Sequence, residues 1–243
     1  MEQYLKLFKN QADYEAASEK PPVSHIIEEV EVIQNIDPYG GHDYVEIGGL
    51  KWATMNIGAN SITDKGLFFQ WGDTQGYTAA QVGSGSGQKY FGWADYKYGN
   101  GGSSESDMTK YNSTDSKTVL DASDDAAQAA WGGNWRMPTK EDFAALSAAV
   151  TTVWVTNYQG SGVNGRLMTD KNDSSKVLFF PAAGYCENGN VRNVGSTGRC
   201  WSSSLDTDDV LSARSLYFYG VGVYWQDYSS RYYGFPVRGI LDV

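Results

Sequence analysis

The residues with the clearest chemistry lie in the last stretch, Trp201 to Val237, which reads WSSSLDTDDVLSARSLYFYGVGVYWQDYSSRYYGFPV. Leu216, Phe218, Val221 and Val223 recur there at even or near-even steps, which suits the inner face of β-strands. Between and after them come Ser215, Tyr217, Tyr219, Tyr224, Gln226, Asp227, Tyr228, Ser229, Ser230, Tyr232 and Tyr233. Tyr offers a large, stiff, amphipathic contact at low entropic cost, and Ser offers adaptable hydrogen bonding. The stretch has no His, Lys or Glu, so its chemistry is recognition rather than proton or group transfer. Tyr is also an ordinary strand former. Yet Tyr232 and Tyr233 are adjacent and cannot both point inward along a strand, and Tyr217 and Tyr219 cannot share the face of Leu216 and Phe218. Some of these rings must be displayed, and exposed aromatic clusters are common interface anchors.

Other reactive residue types are thin. Cys186 and Cys200 flank a strand–turn–strand pattern and would face each other across a hairpin, but with no secretory signal two free thiols are expected. Asp206, Asp208 and Asp209 form an acidic turn without an EF-hand pattern, which reads as a solvated loop rather than a calcium site. His25 and His42 fall in or near the N-terminal region, with too few partners for zinc and no GxSxG elbow for a triad. These absences predict a protein that is not an enzyme and uses no cofactor or metal.

The elements that would position the C-terminal stretch can be read in order. Residues 1–38 hold a short polar helical piece, a Pro21–Pro22 break and the β-branched run His25 to Ile33, and read as a docking or self-association arm. The main domain spans 39–243. It opens with a strand at Tyr44, a Gly48–Gly49 turn and a strand through Trp52. Leu67 to Trp71 is a continuous apolar run, read as a buried strand. Two glycine–serine loops flank the aromatic block Tyr90 to Tyr98, which would pack back on the domain. Asp121 to Trp131 predicts a short helix. A second begins at Thr139, with Asp142 at capping-box spacing and Phe143, Leu146 and Val150 on one face. Arg136, between them, would tie its loop to the core. From Val177 onward everything reads as strand.

Hydrophobic content of 41% and charged content of 20% fit a folded globular chain, and the abundance of Gly (28) and Tyr (17) favours short strands and turns. A net charge of -10 argues against nucleic-acid binding. No window approaches a membrane span and the N-terminus has no apolar signal region, so neither membrane insertion nor secretion is expected.

The motifs WGGNWRMPTKEDF, FFPAAGY, NVGSTGRCWSSS and RYYGFPVRGI, in that order, resemble the Fibrobacter succinogenes major paralogous domain family over about Tyr44 to Val243. The resemblance implies an α+β, C-type lectin-like fold, with two short helices, twisted antiparallel sheets, long loops, and terminal strands close together. It extends to the variable proteins of diversity-generating retroelements in Bacteroides phages and prophages. In those proteins a C-terminal segment, here about 199–237, carries variable ligand-binding positions. The implied positions are Ser215, Tyr217, Tyr219, Tyr224, Gln226, Asp227, Tyr228, Ser230, Tyr232 and Tyr233. The implied framework is Trp201, Ser202, Leu216, Phe218, Arg231, Gly234, Val237 and Arg238. Relatives tend to carry an aromatic residue where Cys200 stands, which implies that Cys200 is itself variable. KLFKNQADYEAAS and PPVS in the arm resemble the start of Bacteroides phage structural proteins.

The expected function is non-enzymatic binding of a bacterial surface receptor, protein or glycan, by a phage tail-associated protein. Its arm would contact the tail or another copy. The expected location is the virion, or the cytoplasm before lysis. The alternatives are an assembly protein whose Tyr-rich face is an oligomer interface, and a cell-surface adhesin-like domain.

Overall fold

A computed structural model of the chain describes residues 42–242. The arm over 1–38, with His25, lies outside the described residues.

Twelve strands, two α-helices and five single-turn 3-10 helices make up the regular structure of the described part. Strands β1 (Tyr44–Ile47) and β2 (Leu50–Ala53) form a hairpin. Its turn is Gly48–Gly49, at φ 65° and 78°. Both values lie in the left-handed region that two-residue hairpins demand and that glycine enters freely. Helix α1 (Ala126–Trp131) starts at Asp125, whose carboxylate accepts from Ala127 N and Gln128 N at 2.8 and 3.0 Å. β3 is Trp135–Arg136. Helix α2 (Lys140–Ala149) carries the capping box at Thr139 and Asp142, and buries Phe143 and Leu146. Arg136 ties this corner together, bonding Asp142 at 2.6 Å and Asp242 at 2.7 Å.

The chain continues as β4 (Val150–Val155), β5 (Gly165–Asp170), β6 (Val177–Pro181), β7 (Tyr185–Glu187) and β8 (Asn190–Arg192). Then come β9 (Thr197–Leu205), β10 (Ser212–Tyr219), β11 (Gly222–Ser230) and β12 (Ile240–Leu241). They form four small antiparallel sheets, ordered β1-β2-β12-β3, β11-β10-β9, β4-β5-β6 and β7-β8. The last strand thus closes back on the first hairpin, with Ile240 opposite Trp52.

These facts correct the α+β, C-type lectin-like expectation. The structure is mostly β, with 36% strand and 15% helix, and the C-type lectin fold is not shown. The second helix starts at the cap read for it, Thr139. The first starts at Ala126, not Asp121, with Asp125 as its cap and a 3-10 turn over Ala122–Asp124 before it, and the two are six and ten residues long. Gly132 at φ 68° ends the first, and the second ends where the β-branched run Val150 to Val155 begins as a strand. Leu67 to Trp71 is buried from Phe68 onward but is not a strand. Phe68 and Phe69 make isolated bridges to Tyr77 and Phe235.

Strand β9 divides the interior, because alternate residues point to opposite sides. Cys200 joins one cluster with Trp52, Phe143, Leu146, Phe180, Leu216 and Phe218. Trp201 joins the other with Phe69, Trp71, Tyr111, Phe235 and Val237. Gly198 lies opposite Phe218, and a Cβ there would sit 2.0 Å from the ring. The framework residues Trp201, Ser202, Leu216, Phe218, Arg231, Val237 and Arg238 are all essentially inaccessible.

Two of these are charged. Arg231 donates to Tyr96 Oη (2.7 Å) and to the carbonyls of Tyr111 (3.1 Å), Val210 (2.9 Å) and Lys110 (2.8 Å). Arg238 donates to Asn56 Oδ1 (2.9 Å) and to the carbonyls of Ala53 (3.1 Å), Thr54 (2.8 Å) and Phe179 (3.1 Å). Burial lowers the Arg238 pKa to about 10. Replacing Arg231 by Met orphans buried acceptors, each costing about 1–3 kcal/mol. The urea midpoint of Arg231→Met is expected to fall by the equivalent of at least ~3 kcal/mol with the transition slope preserved. An unchanged midpoint would contradict the structural role given to the guanidinium.

The aromatic block also packs back as read. Tyr96 is buried, and its hydroxyl donates to Trp71 O at 3.0 Å. Next to it Asp124 accepts from Tyr111 Oη at 2.5 Å and forms ion pairs with Lys110 and with Lys97 at 3.6 Å. Burial alone would push the Asp124 carboxyl up, but the Lys110, Tyr111 and Tyr98 hydrogen bonds outweigh it and hold it at about 2. The folded value therefore lies below the unfolded value of about 3.9. The stability from Asp124 is full above pH ~4 and drains away as pH falls toward ~2. Asp124→Asn is expected to lose stability at neutral pH and to show a shallower loss between pH ~4 and ~2, read by urea titration across that range.

Candidate functional site

The Tyr-rich stretch folds as the β10–β11 hairpin and the turn that follows it. Pairing sets which side each residue occupies. Ser215 lies opposite Asp227 and Arg214 opposite Tyr228, but further along Tyr217 lies opposite Tyr224. The register therefore shifts, and β11 spends one residue more than β10 between these pairs: a β-bulge. Because of it, Tyr224 and Asp227, three apart, share a side. Tyr228, four from Tyr224, does not.

One side carries a row of rings. Tyr217, Tyr219 and Tyr224 stack with centroids 5.6, 5.6 and 6.1 Å apart and planes within 23°. The hydroxyls of Tyr219 and Tyr224 lie 3.5 Å apart, and this contact raises the Tyr224 pKa. Arg199 of β9 stands opposite Tyr217 and places its guanidinium 4.2 Å from that ring, 5.2 Å from Phe235 and 5.7 Å from Tyr185. The same Nη1 bonds Asp227 and Ser229, each at 2.8 Å. Tyr185 meets Tyr233 at 5.7 Å, Tyr233 meets Tyr232 at 4.6 Å, and Tyr232 meets Trp93 at 4.9 Å. Burial first, then Tyr232 and Glu187, push the Tyr233 phenol up.

The support comes from below and from the side. Leu216 and Phe218 on the reverse side are fully buried against α2 and β6. Arg166 of β5 reaches the tip of the hairpin and donates to the carbonyls of Tyr219 and Gly222. Gln70 Nε2 bonds both Tyr232 O and Asp95 Oδ1 at 3.2 Å, which fixes the Trp93 end.

The ten predicted positions therefore separate. Tyr217, Tyr219, Tyr224, Asp227, Tyr232 and Tyr233 belong to the row, all of them half-buried or exposed. Ser215 does not display anything: it is wholly buried and its hydroxyl has no hydrogen-bond partner. Gln226 and Tyr228 lie on the other side of the sheet. Gln226 donates to Lys140 O of α2 at 3.2 Å, and Tyr228 lies under the Arg214 guanidinium at 5.8 Å. Ser230 pairs with Ser212 and accepts from Tyr233 N. Trp93, Tyr185 and Arg199 were not named from sequence. Trp93 and Tyr185 sit in segments whose aromatic content was visible, but nothing local placed them beside the C-terminal turn.

Cys200 is 1% exposed and faces Leu216, so it is no part of a displayed surface. Cys186 pairs instead with Val191, so the thiols do not face each other. Both are free, and desolvation pushes each up to about 12. Asp206 is buried against Arg214 at 2.8 Å, and Asp209 caps its own turn through Leu211 N and Ser212 Oγ. His42 packs on Trp131 at 4.2 Å beside a small cavity of about 190 Å³. Among the described residues no group of three or more His, Cys, Asp and Glu is placed to hold a metal, and no helix is long and apolar enough to cross a membrane.

No family model matches the chain, and no curated protein or solved structure matches it either.

Tyr224 is 50% exposed whereas Phe218 is 1% exposed. Tyr224→Ala is expected to change unfolding free energy by no more than about 0.5 kcal/mol, and Phe218→Ala to cost about 3–5 kcal/mol. Chemical denaturation of both variants checks which side of the hairpin is framework.

Proposed function

We propose that this chain is a non-enzymatic ligand-binding protein whose C-terminal aromatic row contacts a molecule on a bacterial surface, in the manner of a phage tail-associated, receptor-binding variable protein. The observation that carries this is a row of half-exposed rings held from behind by fully buried side chains. Such an arrangement tolerates changes on the displayed side without cost to the core. Stiff aromatic side chains bind with little loss of conformational freedom, and clustered exposed aromatics are frequent anchors of recognition surfaces. The resemblance to variable proteins of Bacteroides phages adds to the reading. The arm over 1–38 is assigned the tail contact or self-association. Many copies on one particle would let individually weak contacts act together.

The double variant Tyr217→Ala/Tyr224→Ala is expected to lose binding to whole bacterial cells while its thermal midpoint stays within a few degrees of the parent. Tyr228→Ala, on the other side of the sheet, is expected to bind as the parent does. Light scattering after size exclusion accompanies the assay. Conversion of an oligomer into a monomer by the double variant would make the row an assembly surface instead.

A further inference from the structure

The row has three features that bear on the chemistry of what it binds. It is extended: a triangle of rings, Tyr217, Tyr219 and Tyr224, is followed across the Arg199 guanidinium by Tyr185, Tyr233, Tyr232 and Trp93. A protein interface is commonly a compact patch with a central anchor and a surrounding rim. Two ring clusters joined across Arg199 fit a chain long enough to reach from one to the other. Second, each group of rings is accompanied by an ion pair that cancels its own charge. Arg199 pairs with Asp227 at 2.8 Å beside Tyr217, Arg192 with Glu187 at 2.9 Å beside Tyr233, and Lys89 with Asp95 at 3.2 Å beside Trp93. These pairs leave the exposed charges beside the rings matched, while Arg166 and Arg231, which bond carbonyls rather than carboxylates, are buried beneath the row. Third, its rings carry hydroxyls at their rims, and the paired carboxylates stand next to them. Apolar rings beside hydroxyl donors and acceptors complement a sugar, which has apolar C–H faces and a belt of hydroxyls.

We infer that the row is an extended binding site for an uncharged linear polysaccharide, with two aromatic subsites: Tyr217, Tyr219 and Tyr224 at one end, and Tyr232, Tyr233 and Trp93 at the other. This rests on the binding role proposed above. It adds Trp93, from the aromatic block far upstream, as a ligand-contacting residue.

The test is calorimetric titration of the purified full chain with uncharged bacterial polysaccharides and their oligosaccharide fragments in graded lengths. Affinity is expected to rise with fragment length until the fragment spans both subsites, and to change little between low and high salt. Trp93→Ala should weaken long fragments by about tenfold and leave the shortest ones unaffected, with Trp93→Phe restoring most of the loss. Near-ultraviolet circular dichroism confirms that the variants keep their fold. Failure of every uncharged fragment to bind, an affinity independent of length, or a Trp93→Ala variant that binds long fragments like the parent would each overturn the inference. Whole cells separate this failure from failure of the binding role. Cell binding that survives periodate oxidation of glycans but not protease digestion, and is still abolished by Tyr217→Ala/Tyr224→Ala, assigns a protein ligand to the same row. Cell binding unaffected by that double variant removes the binding role itself.

Discussion

Two buried guanidinium groups hold the described domain together. A charge moved out of water is costly unless its donors are matched. Here the matching is done largely by main-chain carbonyls rather than carboxylates. Arg231 gathers carbonyls from residues 110, 111 and 210, and Arg238 gathers them from 53, 54 and 179. Most of these carbonyls lie in irregular segments or at a strand end, and Phe179 lies on the edge strand β6, so they would otherwise be orphaned inside the protein. Arginine suits the task because its planar fork presents five donors in fixed directions, whereas an ammonium presents three on a flexible stem. Aromatic rings complete each cage: Trp71 and Tyr96 around Arg231, and Phe180 beside Arg238. The long stretch between β2 and α1, which makes little regular structure, is thereby fastened to the C-terminal strands.

The surface row depends on that fastening. Arg231 immediately precedes Tyr232, and its own carbonyl accepts from Trp71 N at 3.0 Å. The turn that presents Tyr232 and Tyr233 therefore leaves directly from a buried anchor. Tyr96, which accepts from Arg231, lies three residues beyond Trp93, so one guanidinium positions both halves of the Trp93–Tyr232 contact. At the opposite end Arg166 performs a related service for the hairpin tip. The displayed rings thus stand on buried charges.

Much of this was legible locally. The second helix start was written in its capping residue Thr139, the first hairpin in Gly48–Gly49, and the buried framework in the alternation of Leu216 and Phe218, whereas the first helix, read from Asp121, begins only after Asp125. The aromatic block at Tyr90 to Tyr98 had too many large rings to remain in water. The fold class was less legible. Real helical signals and ordered motifs pointed to an α+β, C-type lectin-like architecture, but the helices are short and the strands separate into small sheets. How far strands associate depends on contacts between distant segments, which cap and periodicity signals do not report. Leu67 to Trp71 shows the same limit: an apolar run announces burial, not the partner that would make it a strand.

By itself, the sequence determined that the C-terminal stretch is strand with Leu216 and Phe218 on a buried side and many Tyr and Ser side chains to display, because alternation of apolar and polar residues is a property of consecutive positions. Val221, read as inward on the same alternation, is 88% exposed at the hairpin turn. Only the tertiary structure decided which of those side chains stand together. One extra residue in β11 turns Gln226 and Tyr228 away from Tyr217 and Tyr224, and a strict two-residue period cannot reveal where such an insertion falls. The burial of Ser215 was likewise decided by what lies across the strand, as was the recruitment of Trp93, Tyr185 and Arg199. Those meetings join residues up to 139 positions apart, as between Trp93 and Tyr232, and are set by packing that no local pattern encodes.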